Sequence, residues 1–242
     1  MKNLIKQILK EYAEEQEKVL TIPSLKIFNE DWNTLQQFLK SRGNPKWKIL
    51  GDLDLTSFSI ESLGNLTSVG GDLDLEETPI KSLGNLESVG GDLNLANSAI
   101  KSLGNLKLVE GDLDLRYTPI EYLGNLTSVM GDLSLEFTPI KSLGNLTSVG
   151  GYLDLYNTKI KFLGNLTSVG GSLGLSKTSL VESLENLTSV GVTLDLGHTP
   201  IKSLGNLKYV GSDLFLINTP LSQKYTEEEI RQMVSVEGNL RM

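Results

Sequence analysis

The sequence predicts a mostly β repeat solenoid, with coils stacked on a parallel β-sheet and a helical cap at each end. Three observations carry that expectation. The string GDLDLTSFSIESLGNLTSVG from Gly51 is followed by GDLDLEETPIKSLGNLESVG from Gly71 and GDLNLANSAIKSLGNLKLVE from Gly91, a period of 20 residues. Within each copy, leucines alternate with polar residues over a short run, and the two ends of the chain lack the period and show helical spacing instead. Self-similarity at such a period marks a solenoid, because a single coil cannot bury its own apolar face and needs neighbours and capped ends.

Residues 1–45 are the expected N-terminal helical cap. Leu4, Ile5, Ile8, Leu9 and Tyr12 recur at helical spacing, as do Trp32, Leu35, Phe38 and Leu39. Gly43 and Pro45 then end the second helix. The stretch Met1 to Leu20 is also open to a second reading, as an amphipathic helix that docks to a partner or a membrane surface.

Residues 46–221 are the solenoid, about nine coils of 20 residues. The period continues from Gly111, Gly131, Gly151 and Gly171, gains one residue near Val181, resumes at Val192 and fades in a ninth copy from Ser212. In the copy that begins at Gly131 the core positions are Leu133, Leu135, Ile140, Leu143, Leu146 and Val149. Leu133 and Leu135 alternate with Asp132 and Ser134, so each coil is expected to offer one strand with one buried face. Such strands run parallel about 4.8 Å apart, and nine would span roughly 40 Å. The pairs Gly70–Gly71 and Gly144–Asn145 mark corners where positive φ costs little. Thr78, Thr118, Thr138 and their counterparts fall three residues after the second strand leucine and are expected to form a ladder of hydroxyls bonding backbone amides. In residues 222–242, the C-terminal cap, Thr226 and Glu229 make a capping box opening a short helix through Met233. Val234 to Leu240 is placed to add a last strand.

The run L-x-L-x-x-T-x-I-x-x-L, as in Leu133 to Leu143, resembles the leucine-rich-repeat consensus, with threonine in place of the usual ladder asparagine. The likeness covers residues 49–221. The two-glycine corner and the four-residue step from Val149 to Leu153 are similar to coils of receptor L domains and their fungal cell-wall relatives. The resemblance implies a leucine-rich-repeat-like right-handed coil that presents its sheet to protein or peptide ligands, with no common catalytic residues. Two departures, the lack of cysteine-rich caps and of a signal peptide, count against an extracellular receptor. The opening MKNLIKQILKE resembles the starts of phage-encoded proteins.

Composition narrows the function classes. Hydrophobic residues make up 39% of the chain but aromatics only 6%, so aliphatic side chains must build the core. A formal net charge of −8 argues against nucleic-acid binding, which needs a Lys/Arg surface to displace phosphate counterions. With no cysteine, disulfides, thiolate metal sites and a cysteine nucleophile are excluded. Glu11, Glu14, Glu15 and Glu17 interrupt the opening before any secretory apolar core appears. No apolar run approaches the roughly 18 residues of a membrane span. The expected location is therefore the cytoplasm, or a virion or other particle assembled there.

No catalytic, cofactor or metal site can be built from the remaining inventory. His198 is the only histidine and occupies a variable outward position. The glycines recur as corners and not as one phosphate cradle. The five Asn-Leu-Thr sequons, at Asn65, Asn125, Asn145, Asn165 and Asn186, follow from the corner repeat. Lys81, Lys101, Lys141, Lys161 and Lys202 share another outward position.

Two features point to binding. Asp52, Asp72, Asp92, Asp112 and Asp132 share one outward strand position, and Asp54, Asp74 and Asp114 share another. Such columns repel themselves and invite a counterion, a basic partner or water alone. The two residues after the second strand leucine, by contrast, never repeat as a pair: Ala96-Asn97, Arg116-Tyr117, Glu136-Phe137 and Tyr156-Asn157 are examples. Neutral drift and diversified recognition both explain this, although other exposed positions have drifted less. The partner-binding candidates are Arg116, Tyr117, Phe137, Tyr152 and Tyr156, residue types that dominate binding hot spots, with Asp112, Asp114 and Asp132 beside them. The expected function is a non-catalytic protein-binding scaffold with a protein or peptide ligand of basic character. The alternative is a structural or self-associating element of a particle or filament.

Overall fold

The computed structural model describes residues 19–178 and 180–242. The helical spacing at Leu4–Tyr12 and the docking reading of the opening stretch lie outside them. Among the described residues the chain forms a parallel β-solenoid of about eight full coils of some 20 residues, one fewer than the sequence suggests. The ninth copy supplies the strand Leu214–Phe215 and then leaves the coil path for a helix at Pro220.

Each coil carries two short strands and not one, which corrects the expectation of a single sheet. Leu133–Ser134 and its counterparts form a ten-stranded parallel sheet, and Ser148–Val149 and its counterparts an eleven-stranded one. Register advances by one repeat in both, with Leu133 opposite Leu113 and Leu153, and Val149 opposite Val129 and Val169. The second ladder arises from stacking more than from local pattern. Thr147 and Gly150 donate their amides to Thr127 and Val129 of the coil before, both at 2.9 Å, because equivalent backbone groups of identical coils face one another.

The interior is the predicted aliphatic ladder: Leu133, Leu135, Ile140, Leu143, Leu146 and Val149 are all buried. The threonine corner is buried as well, but its hydroxyls donate to carbonyls instead of bonding amides. Thr138 Oγ1 reaches the Leu135 oxygen at 2.7 Å, and Thr118 does the same with Leu115. Corner amides are already used by the next coil, as when Tyr117 donates to the Glu136 carbonyl at 3.2 Å, so carbonyls are what remain.

The glycine corners divide in two. Gly144 takes the left-handed conformation at φ 59°. Gly70 and Gly71 do not have positive φ; they are glycine because coils approach closely there. A Cβ on Gly70 would collide with the Leu50 carbonyl, and one on Gly71 with the Asp52 carboxylate.

At the N-terminal end, β1 (Leu20–Ile22), a 3-10 turn (Leu25–Phe28), α1 (Trp32–Ser41) and β2 (Trp47–Ile49) close the stack. The strands β1 and β2 pair in parallel and begin the eleven-stranded sheet, so part of the segment expected as a helical cap is a strand. Asp31 caps α1, which buries Trp32, Leu35 and Leu39, with the Trp32 ring 6.0 Å from that of Trp47. Phe38 is half-buried beneath the Arg42 guanidinium. At the other end α2 (Pro220–Lys224) and α3 (Glu227–Met233) follow the last coil, α3 opening with the expected Thr226–Glu229 capping box. Ile230 and Val234 are buried, and two strands, Ser235–Val236 and Leu240–Arg241, extend one sheet each where a single strand was expected. No described helix is long and apolar enough to cross a membrane.

Candidate functional site

The aspartate columns lie outward, but their oxygens are bound to backbone. Asp112 Oδ1 accepts the amide of Asp132 at 2.7 Å, and Asp132 Oδ1 accepts that of Tyr152 at 2.6 Å, each carboxylate satisfying the amide just before the first strand of the next coil. The second column closes the turn after its own strand: Asp74, Asp114 and Asp154 accept the amides two residues on at 2.9–3.0 Å. Like-charge repulsion is therefore offset by charge-assisted hydrogen bonds, and the columns have a structural role. Asp114 is further engaged by Arg116, whose guanidinium folds back onto it with Nη2 at 2.5 Å from Oδ2. That pairing holds the Arg116 guanidinium even more firmly protonated than usual.

The non-repeating pair has a conformation that its composition conceals. Its second residue is left-handed in eight successive copies: Glu77, Asn97, Tyr117, Phe137, Asn157, Lys177, His198 and Asn218 all have φ between 54° and 61°. Asparagine suits this region, whereas a bulky side chain there crowds the backbone at a cost of roughly 1 kcal/mol or more. Yet Tyr117 and Phe137 occupy it side by side, 56% and 42% exposed. Their rings stack with centroids 4.8 Å apart and planes 7° from parallel, and Tyr156 meets Phe137 edge-on at 5.7 Å. Lys177 Nζ caps the row with a 2.7 Å bond to the Tyr156 hydroxyl. Three of the sequence-predicted residues thus form one continuous aromatic row, exposed at Tyr117 and Phe137 and half-buried at Tyr156.

Tyr152, the fourth ring, lines with Tyr156 a cleft of about 520 Å³ on the outer face of the ten-stranded sheet. Glu136, Asp154, Asp195, Tyr156, Gly174 and Phe215 also line it. The column that holds aspartate at Asp54, Asp74 and Asp114 holds Gly174 and Phe215 here, and Tyr152 replaces aspartate in the other column. A Cβ on Gly174 would lie 2.6 Å from the Tyr152 hydroxyl, so the missing side chain makes room for the ring. Burial and the neighbouring Asp154 hold the Glu136 carboxyl above its usual range, against the pull of Arg116. Burial, then Asp154, raises the Tyr152 phenol. Sequence reasoning missed Asp154, Gly174, Asp195 and Phe215. Their signal was the departure of Gly174 and Phe215 from a column otherwise made of aspartate, asparagine and serine.

The other repeated surface positions serve the fold. Thr127, Thr147 and Thr167 donate their hydroxyls to carbonyls of the preceding coil at 2.9–3.0 Å, and Lys107 pairs with Glu87 where the threonine row breaks. Lys81 and Lys202 pair with Glu61 and Glu182. His198 is exposed, with the Asn218 side chain in hydrogen-bond range at 3.4 Å. No group of three or more His, Asp or Glu suited to a metal ion occurs among the described residues. No family model, curated protein or solved structure matches the chain.

Proposed function

We propose that the chain is a non-catalytic protein-binding scaffold, a leucine-rich-repeat-type solenoid whose recognition surface is centred on Tyr117, Phe137 and Tyr156. One observation carries the reading: two large aromatic rings are held outside an aliphatic core at left-handed positions where asparagine costs less. A fold gains little from such an arrangement, whereas exposed, stacked, rotamer-restricted rings are what binding hot spots use. The L-x-L strand ladder and the inward threonine support the leucine-rich-repeat assignment, and fold analogy adds only that such arrays present surfaces to ligands.

The test is selection of a binding peptide from a displayed library on the immobilised chain, followed by titration calorimetry. Tyr117→Asn with Phe137→Asn keeps the backbone conformation and should weaken binding by about 2 kcal/mol, some thirtyfold. Unchanged affinity, together with self-association by light scattering, would favour the structural reading instead.

A further inference from the structure

The cleft beside the aromatic row has a chemistry of its own. The two repeating columns that face outward from the ten-stranded sheet both depart from aspartate within it, at Tyr152 in one and at Gly174 and Phe215 in the other. Gly174 sits between Asp154 and Asp195 in strand register, so the slot one residue wide between the two carboxylates holds no side chain of its own and is overlain by the Tyr152 hydroxyl. Their strands are two steps apart, about 10 Å at the backbone. In each, Oδ1 closes the following turn, on Tyr156 and Gly197, both at 2.9 Å, and Asp154 also faces the Glu136 carboxyl and the Tyr152 hydroxyl. Neither Asp154 nor Asp195 nor Glu136 takes part in an ion pair among those residues. The nearby cations are engaged elsewhere, Arg116 with Asp114, Lys177 with Tyr156, and Arg241 over the Phe215 ring at 5.3 Å. Around the slot stand Tyr152, Tyr156 and Phe215. Aromatic walls and half-buried carboxylates without an ion-pair partner complement a delocalised cation, which stacks on rings and donates to several oxygens at once.

We propose that this cleft binds the guanidinium of an arginine side chain presented by a peptide lying across the outer face of the ten-stranded sheet, with Asp154 and Asp195 as the paired acceptors and Tyr152 and Phe215 as the walls. The proposal rests on the reading of the chain as a peptide- or protein-binding scaffold and specifies which side chain it recognises. It also accounts for Gly174. An aspartate there, as at Asp154 and Asp195, would fill the slot and displace Tyr152.

The cleft is open, so a small probe reaches it without the rest of a partner. An acetylated and amidated Gly-Gly-Arg-Gly-Gly peptide is titrated into the isotopically labelled chain and followed by amide shifts, beside the same peptide with citrulline, which keeps the shape and removes the charge. The arginine peptide should shift the amides of Ser172 to Ser176 and Asp195, and the citrulline peptide should bind at least tenfold more weakly. Asp154→Asn with Asp195→Asn keeps the turns, since Asn94 in the same column accepts the Ala96 amide at 3.1 Å, and should weaken the arginine peptide at least tenfold. Equal binding of the two peptides, or undiminished binding by the double variant, overturns the proposal. The two readings fail separately. If the library-selected ligand is lost with Tyr117 and Phe137 but the arginine peptide binds as well after the Asp→Asn changes, the scaffold reading stands and the cleft assignment falls. If the arginine peptide needs both aspartates while the selected ligand ignores the aromatic pair, the cleft assignment stands and the aromatic row is not the recognition surface.

Discussion

Replacing Tyr117 by asparagine should leave the protein as stable as before or more so, although it removes an aromatic contact. At φ 58° the tyrosine Cβ crowds the preceding backbone, which costs about 1 kcal/mol. Asparagine meets the same geometry at Asn97, Asn157 and Asn218, where φ is 57°, 54° and 57°, and its short amide compensates locally. Against that relief stands the stack on Phe137, worth about 0.5–1.5 kcal/mol and near the lower figure for a ring 56% exposed. Tyr117→Ala loses the stack in the same way but keeps a Cβ at positive φ, so it gains no relief. The comparison of the two variants isolates the backbone contribution: asparagine should exceed alanine by about 1 kcal/mol. With a urea slope of about 3 kcal/mol per molar, the transition midpoints should differ by about 0.3 M. Coincident midpoints would show that the left-handed position carries no strain, and the inference from strain to recognition would lose its basis.

Leu135 is fully buried between coils, so Leu135→Ala should cost about 2–5 kcal/mol in urea denaturation, and a loss below about 0.5 kcal/mol would contradict its inward placement. Asp112→Ala should cost about 1 kcal/mol by stranding the Asp132 amide, and Asp112→Asn should restore most of it; equal losses would mean that the bond carries no stability. Glu136 titrates above its usual range because burial and Asp154 disfavour its charge, so the folded state binds that proton more tightly than the unfolded one. Its contribution is absent below the ordinary glutamate range and becomes destabilising as pH rises through the elevated one. Glu136→Gln should accordingly raise the midpoint at pH 7 and lose that advantage on acidification, and a gain independent of pH would refute the assignment.

The core was legible because Leu133 and Leu135 carry a period-two pattern in register through every copy. The eleven-stranded sheet was not, because Ser148–Val149 is too short to show a period and is created by stacking. The aspartate columns were visible as columns, but nothing in a row of acidic residues reveals that each Oδ1 holds a neighbour's amide. Among the site residues, Tyr117, Phe137 and Tyr156 were found from their failure to repeat. Their left-handed backbone was signalled only by the asparagines at Asn97, Asn157 and Asn218. The cleft went unseen because its defining residue, Gly174, acts through the side chain it lacks.

The contact between Asp52 and Gly71 carries a rule for how such an array can change length. Each aspartate at that position reaches over the first residue of the next coil, and glycine follows Asp52, Asp72, Asp92, Asp112, Asp132 and, in the C-terminal cap, Asp213. Where serine replaces the aspartate, at Ser172, the next coil begins with Val192. Duplication or deletion of whole 20-residue units among the coils from Gly51 to Gly131 preserves this coupling, since each junction then joins an aspartate coil to a glycine start. Recombination between the Ser172–Val192 junction and the rest would bring valine against a carboxylate. Unequal exchange that keeps this coupling therefore falls in the coils from Gly51 to Gly131, and Gly174, with most of the cleft around it, lies beyond them.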